Sequence, residues 1–265
     1  MIPKTIHYCW FGGNPKPKLA EKCIRSWKKH CPDYELIEWS EENFDIASAP
    51  LYVRQAYEAK KWAFVTDYVR LYAMVTHGGI YMDTDVEVIK PLDDFLVHQA
   101  FSGFENSTDI PTGIMGAEKG FPLFEELLHH YDSAVFKKED GSYDLTTNVL
   151  TITKKCVEKG LIQNNEFQII NGFAVYPKEV FCPYDLATGE VIKTDRTYTI
   201  HWFSGSWFLP EQKRDKRRNY AQHRREKIKF LIRIKGGVFF RAIIGDSRYE
   251  KLKKLFNKQM KDIEK

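Results

Sequence analysis

Lys4-Thr5-Ile6-His7-Tyr8-Cys9-Trp10 opens the chain as a β-branched and aromatic run, stopped by Gly12-Gly13 and by Pro15 and Pro17. That is the composition of a strand running into a loop. Residues 19–30 follow with helical spacing, since Leu19, Cys23, Ile24 and Trp27 share one face. Pro32-Asp33 then turns the chain into Tyr34-Glu35-Leu36-Ile37-Glu38-Trp39, where apolar and acidic residues alternate. Strand, helix and strand at this spacing predict a parallel βαβ unit, the opening of an α/β domain of nucleotide-binding type.

Working outward, helices are expected over 51–59 and 61–76. The second carries Ala63, Val65, Tyr68, Val69, Leu71, Tyr72 and Val75 as a broad apolar face. His77-Gly78-Gly79 ends it, with glycine available for a left-handed cap. Ile80-Tyr81-Met82-Asp83-Thr84-Asp85-Val86-Glu87-Val88-Ile89 comes next and is closed by Pro91. A strand is expected at 100–105, a short strand or turn at 113–116, helices at 122–135 and 148–159, and late strands at 173–177 and 198–202. There is no internal repeat and no low-complexity segment.

A chain of 265 residues with 43% hydrophobic and 14% aromatic content has enough apolar mass for one substantial core. No run of eighteen apolar residues crosses a membrane, and the N-terminus lacks the h-region of a signal peptide, so the expected location is cytoplasmic. Five widely spaced cysteines, without a C-x-x-C pair, suit buried free thiols in a reducing compartment. The net charge of +4 hides an asymmetry. Residues 213–265 hold 19 Lys and Arg against 6 Asp and Glu, a net of +13, which leaves −9 for residues 1–212. Two regions are therefore expected: an acidic catalytic-looking body over 1–212 and a basic, amphipathic, helical tail over 213–265.

Asp83 and Asp85 need a reason. Strands tolerate aspartate poorly, and two carboxylates leaving one face, or fanning together where a strand ends, repel unless a cation sits with them. Hard oxygen ligands suit Mn²⁺ or Mg²⁺, which would offset the charge of a departing diphosphate. Upstream, Asp67 and Arg70 stand at i, i+3 and share a helical face.

Together, Ala63, Asp67 and Arg70 followed by Gly78-Gly79-Ile80-Tyr81-Met82-Asp83-Thr84-Asp85 resemble the core signature of glycosyltransferase family 32, the DXD sugar-binding glycosyltransferases. The family includes mannosyltransferases and capsule and lipopolysaccharide transferases; clostridial glucosylating toxins are distant relatives. Ile6-His7-Tyr8-Cys9-Trp10-Phe11-Gly12-Gly13 matches its first strand, and His201-Trp202-Phe203-Ser204-Gly205-Ser206-Trp207 its C-terminal element. The resemblance covers residues 4–95 and resumes at 201–207. It implies a GT-A fold with a Rossmann-like, mostly parallel sheet, a UDP- or GDP-sugar donor, Mn²⁺ or Mg²⁺, and retention of anomeric configuration. It implies that Trp10 stacks on the donor base, that Asp67 and Arg70 contact sugar and diphosphate, and that Tyr81 and Asp83 lie by ribose and sugar. Asp85 then binds the metal, His201 or Ser206 completes the shell, and Trp207 covers the diphosphate.

On the acceptor side the polar candidates are Asn106, Thr112-Gly113 and Thr147-Asn148, with Asn148 preferred. The expected acceptor is a glycan or lipid-linked oligosaccharide in surface polysaccharide (capsule) synthesis. The alternating cations and apolar residues of 227–244 suit an anionic membrane surface, placing the protein peripherally on the inner face of the plasma membrane. Nucleic-acid binding by that tail is the weaker reading. Three rivals share these residues: a glucosyltransferase acting on protein, a metal-dependent phosphohydrolase or nucleotidyltransferase, and a non-catalytic nucleic-acid-binding protein.

Overall fold

The computed structural model describes residues 1–110, 113–186 and 188–205, and Arg225. The chain divides into two units, Met1–Asp185 with Glu190–Trp207, and Leu186–Gly189 with Phe208–Lys265. Of the second, only Leu186, Thr188, Gly189 and Arg225 are described, so the basic tail expected over 213–265 otherwise lies outside the described residues.

The first unit is built on a sheet of β1 (Thr5–Cys9), β2 (Glu35–Trp39), β3 (Gly79–Met82), β5 (Ala100–Gly103), β6 (Ile114–Ala117), β7 (Gln168–Ile170) and β8 (Phe173–Tyr176). Their spatial order is β2-β1-β3-β6-β5-β8-β7. The predicted βαβ unit is present: β1 pairs with β2 in parallel, and α1 (Lys18–His30) connects them. β1, β2, β3, β5 and β8 run one way, while β6 inside the sheet and β7 at its edge run the other. The sheet is therefore mixed but mostly parallel in direction, and the fold class is α/β. A separate two-stranded ladder joins β4 (Val86–Val88) to β9 (Thr199–His201) in antiparallel register.

Strand alternation sorts the core into two layers. Along β3, Ile80 and Met82 pack with Trp27 of α1 and with Phe181 of α6 (Lys178–Phe181). Tyr81 faces the opposite layer, formed with α2 (Leu51–Glu58), α3 (Trp62–His77), α4 (Pro122–His129) and α5 (Asn148–Glu158). Lys28, Lys29 and His30 in the last turn of α1 oppose its negative dipole end. α4 is shorter than expected: after His129 the backbone tightens into a 3-10 turn over His130–Asp132. All five cysteines are buried free thiols, as expected.

The α3–β3 junction aims the site. Gly78 caps α3 with φ of 71° and its N–H on Met74 O, and a Cβ there would meet Lys119 N at 2.7 Å. Only glycine fits both demands. Beneath it, Trp39 Nε1 donates to His7 Nδ1 at 3.1 Å, which leaves His7 Nε2–H to donate to Gly78 O at 2.9 Å. Burial drives the His7 pKa down to about 4, so the ring stays neutral and that tautomer persists.

The acids do not continue one strand from 80 to 89. β3 stops at Met82, Asp83 N–H bonds Gly113 O at 2.8 Å, and Val86 N–H closes a turn onto Asp83 O at 3.0 Å. β4 then departs toward α1, where Trp27 Nε1 donates to Val86 O at 2.7 Å and Val88 N to Ser26 Oγ at 2.9 Å. Asp83-Thr84-Asp85 is thus a turn between two sheets, a setting aspartate favours.

Candidate active site

Asp67 and Arg70 project from α3 toward the end of β3. Both are buried, and the Arg70 guanidinium has an Asp on either side: Nη2 lies 3.4 Å from Asp67 Oδ1 and 3.2 Å from Asp83 Oδ1. Arg70 Nε also donates to Thr66 O at 3.2 Å, and the cation sits 4.7 Å from the centre of the Tyr81 ring. Burial raises the Asp67 pKa to about 6, with Arg70 pulling it down and Asp83 pushing it up. Burial opposes the charge on Arg70 too, but Asp83, Tyr81 and Asp67 outweigh it and fix the cation.

Across Asp83 lies a second group. His201, at the end of β9, places Nε2 3.3 Å from Asp85 Oδ1, while Ser204 N–H donates to Asp85 Oδ2 at 2.7 Å. Burial resists ionisation of Asp85, but His201 and Ser204 hold its carboxyl well below the usual range. For His201, burial works against the proton, and the Asp85 charge with the Cys182 thiol behind it raises the pKa well above the usual value. Asp83, Asp85 and His201 each present one ligand atom, all within 4.8 Å of one another. Two carboxylate oxygens and an imidazole nitrogen at that separation fit a divalent cation such as Mn²⁺.

The remaining expected residues divide. Trp10, just past β1, is half-buried and belongs to neither core layer; its Nε1 donates to Asn14 O at 2.6 Å and Lys16 Nζ stands 5.6 Å from a ring centre. Tyr81, expected beside the ribose, is instead buried beneath the acids, its hydroxyl donating to Asp83 Oδ1 at 2.9 Å. Asn148, expected to face donor or acceptor, is corrected more sharply. It is buried, its Nδ2 donates to the Asp67 carbonyl at 2.8 Å, and its Oδ1 accepts from Tyr131 Oη at 2.8 Å. Both ends of the amide are engaged within the core, so Asn148 supports Asp67 from behind. Asn106 folds its own loop, accepting from Thr108 N and Asp109 N. Thr112, Ser206 and Trp207 lie outside the described residues.

Sequence reasoning missed Ser204, Tyr131, Cys182 and Glu105. Ser204 acts through its backbone N–H, which no side-chain pattern reveals. Gly113 was read as a polar-loop position, yet its value is emptiness: a Cβ there would fall 2.7 Å from His201 Nδ1. Among the described residues, no helix is long and apolar enough to cross a membrane.

The family described as "Glycosyltransferase sugar-binding region containing DXD motif" matches residues 17–102. Inositol phosphoceramide mannosyltransferase 3 of Schizosaccharomyces pombe is 29% identical over 143 residues, 51% of this chain and 38% of that protein. An uncharacterized glycosyltransferase of Acanthamoeba polyphaga mimivirus is 24% identical over 204 residues, 69% of this chain and 78% of that one. Among solved structures, the PaToxG glycosyltransferase aligns with a TM-score of 0.45 and 18% identity, over 60% of this chain and 70% of that chain. The match spans well under half the length of the yeast mannosyltransferase. Asp67, Arg70, Asp83 and Asp85 all fall inside the matched segment, over which the chain is similar to DXD-motif glycosyltransferases of the family-32 kind.

Proposed function

We propose that this protein is a metal-dependent, retaining transferase that moves a sugar from a UDP- or GDP-sugar to a glycan or lipid-linked oligosaccharide acceptor. The observation that carries the reading is the double use of Asp83. One of its oxygens faces the Arg70 cation at 3.2 Å, and the same residue belongs to the ligand group with Asp85 and His201. A buried cation and a set of hard ligands meeting at one carboxylate is what a sugar diphosphate requires. Phosphate charge needs positive partners, and sugar hydroxyls need acceptors.

Within this reading, Asp67 accepts sugar hydroxyls and Arg70 pairs with the diphosphate. Tyr81 and Asn148 hold those two groups in place, and the half-buried Trp10 ring supports the base. Asp85 and His201, with Asp83 beside them, hold the divalent ion, which supplies charge neutralisation for the leaving diphosphate. Ser206 and Trp207 keep their expected roles as the segment that completes and covers that shell. No protein nucleophile is positioned by these residues. The acceptor hydroxyl therefore attacks from the face of the leaving group, and the diphosphate takes its proton. An inverted anomer in product NMR would refute this stereochemistry.

The decisive experiment is a thermal-shift panel of nucleotide sugars with and without Mn²⁺. Stabilisation by one nucleotide sugar, dependent on metal and lost in Asp85→Ala, is expected. Metal-dependent diphosphate cleavage without sugar transfer would favour the phosphohydrolase reading instead. The mannosyltransferases among its relatives favour a hexose donor such as an activated mannose. We assign the body to residues 1–212 and peripheral membrane attachment at the cytoplasmic face to the basic region 213–265, in surface polysaccharide synthesis. Liposome flotation checks it: full-length chain and a truncation near Gln212 floating alike would remove the membrane role.

A further inference from the structure

The strands β1, β3 and β5 all point toward one edge of the sheet, and each is followed there by a functional type of residue. Trp10 follows β1, Asp83 follows β3, and Glu105 stands two residues beyond β5. Ligands of α/β sheets bind outside these carboxyl ends. Between β3 and β5 runs β6, which enters the sheet from this same edge through Gly113, a residue without a side chain. Asp83 and Glu105 thus stand about two strand spacings apart, roughly 10 Å, and the His201 ring packs over Gly113 between their strands.

Glu105 is also held rather than free. Its N–H donates to Asp109 O at 2.7 Å, Asn106 Oδ1 closes the loop on Thr108 N and Asp109 N, and Ile110 N–H is anchored on Thr153 Oγ1 at 3.0 Å. Yet among the described residues the Glu105 carboxylate makes no hydrogen bond and no ion pair. Partial burial raises its pKa, with His201 pulling down and Asp83 pushing up, so the side chain feels the charges of the site. A partly buried carboxylate on a braced loop, reached by solvent but by no protein donor, is open to a hydroxyl of a ligand.

We infer that Glu105 is the acceptor-side carboxylate of this site, accepting a hydrogen bond from a hydroxyl of the incoming sugar and orienting it toward the donor held by Asp67, Arg70 and Asp83. The inference rests on the transferase reading above. It gives the site a division of labour: carboxylates beside Arg70 hold the donor, and the one beyond Gly113 holds the acceptor.

The test uses the full chain, the nucleotide sugar selected by the thermal-shift panel, Mn²⁺, and methyl glycosides of mannose, glucose and galactose with myo-inositol as acceptors. Glu105→Gln and Glu105→Ala are expected to lower transfer kcat/KM by about 50-fold or more, with Glu105→Asp recovering part of it. Their binding of nucleotide sugar and the Mn²⁺ concentration for half-saturation should stay within about 3-fold of the unmodified protein. Loss of metal or donor binding in step with transfer would overturn the inference, because Glu105 would then act through His201. Unchanged transfer would overturn it as well, and so would an unmodified protein that binds donor and metal but uses none of these hydroxyl acceptors. If the unmodified protein binds no nucleotide sugar at all, the transferase reading itself fails.

Discussion

Arg70 Nη2 stands 3.2 Å from Asp83 Oδ1 and 3.4 Å from Asp67 Oδ1, so one buried cation neutralises two carboxylates that come from a helix and from a turn. Asp67, the buried one of the two, is not tolerable in that interior alone. Arg70→Ala should therefore lower stability by about 3–5 kcal/mol and transfer by at least about 100-fold. Arg70→Lys should restore part of the stability and little of the activity, since a point charge cannot face both carboxylates. Urea unfolding and steady-state kinetics on both variants check this; equal activity for Lys and Arg would contradict it.

Asp67 makes stability depend on pH in a particular direction. Its pKa is about 6 in the folded chain and about 3.9 when unfolded. Between those values the native state holds a proton that the unfolded state has released, so stability falls as pH rises from about 4 to about 6, then levels. The difference in unfolding free energy between the unmodified protein and Asp67→Asn should shrink over that window, on the order of 2–3 kcal/mol. Donor binding should move the opposite way, improving as Asp67 ionises. A parallel pH profile for both proteins would assign the titration elsewhere.

Gly113→Ala should act on the metal rather than on the fold. The added Cβ meets His201 Nδ1 at 2.7 Å, so the imidazole must shift from the position that sets Nε2 3.3 Å from Asp85 Oδ1. Affinity for Mn²⁺ is expected to drop about 10–100-fold, as for lost supports of ligating histidines, with secondary structure retained. Manganese titration followed by thermal shift measures it, and an unaltered midpoint would count against His201 as a ligand.

Asn148→Ala should behave as a support mutation. It strands the Tyr131 hydroxyl in the core, costing about 1–3 kcal/mol, and removes a second bond from the Asp67 carbonyl, which keeps its partner inside α3. Stability should fall more than sugar selectivity shifts. A change of preferred nucleotide sugar at unaltered stability would return Asn148 to the ligand's side.

Much of this site was legible in the residues. The βαβ opening, the glycine cap and the two motif halves are written in periodicity and in residue types with few alternatives, and the structure brings Asp67, Arg70, Asp83 and Asp85 together. What stayed hidden depends on where a strand stops and which way a side chain turns. Tyr81 and Asn148 looked like ligand contacts because their polar groups are common ones; only burial shows those groups bonded to Asp83, Asp67 and Tyr131. Ser204 and Gly113 contribute a backbone N–H and an absent side chain, neither of which leaves a signature. Glu105 became visible once β6 was found reversed between β3 and β5.

The β4–β9 ladder has a kinetic consequence. Asp85 meets Ser204 across 119 positions of chain, and His201 arrives on the same late strand. A ribosome that has made everything through β8 has supplied the whole main sheet, yet of the candidate metal-binding group Asp83, Asp85 and His201 only the two aspartates. Closing so long a loop is slow, which makes this closure one of the last events in folding. In the transferase reading, a nascent or clipped chain ending near Asp195 would therefore hold its sheet while lacking the histidine, and would be silent as a catalyst until the β9 segment has been made.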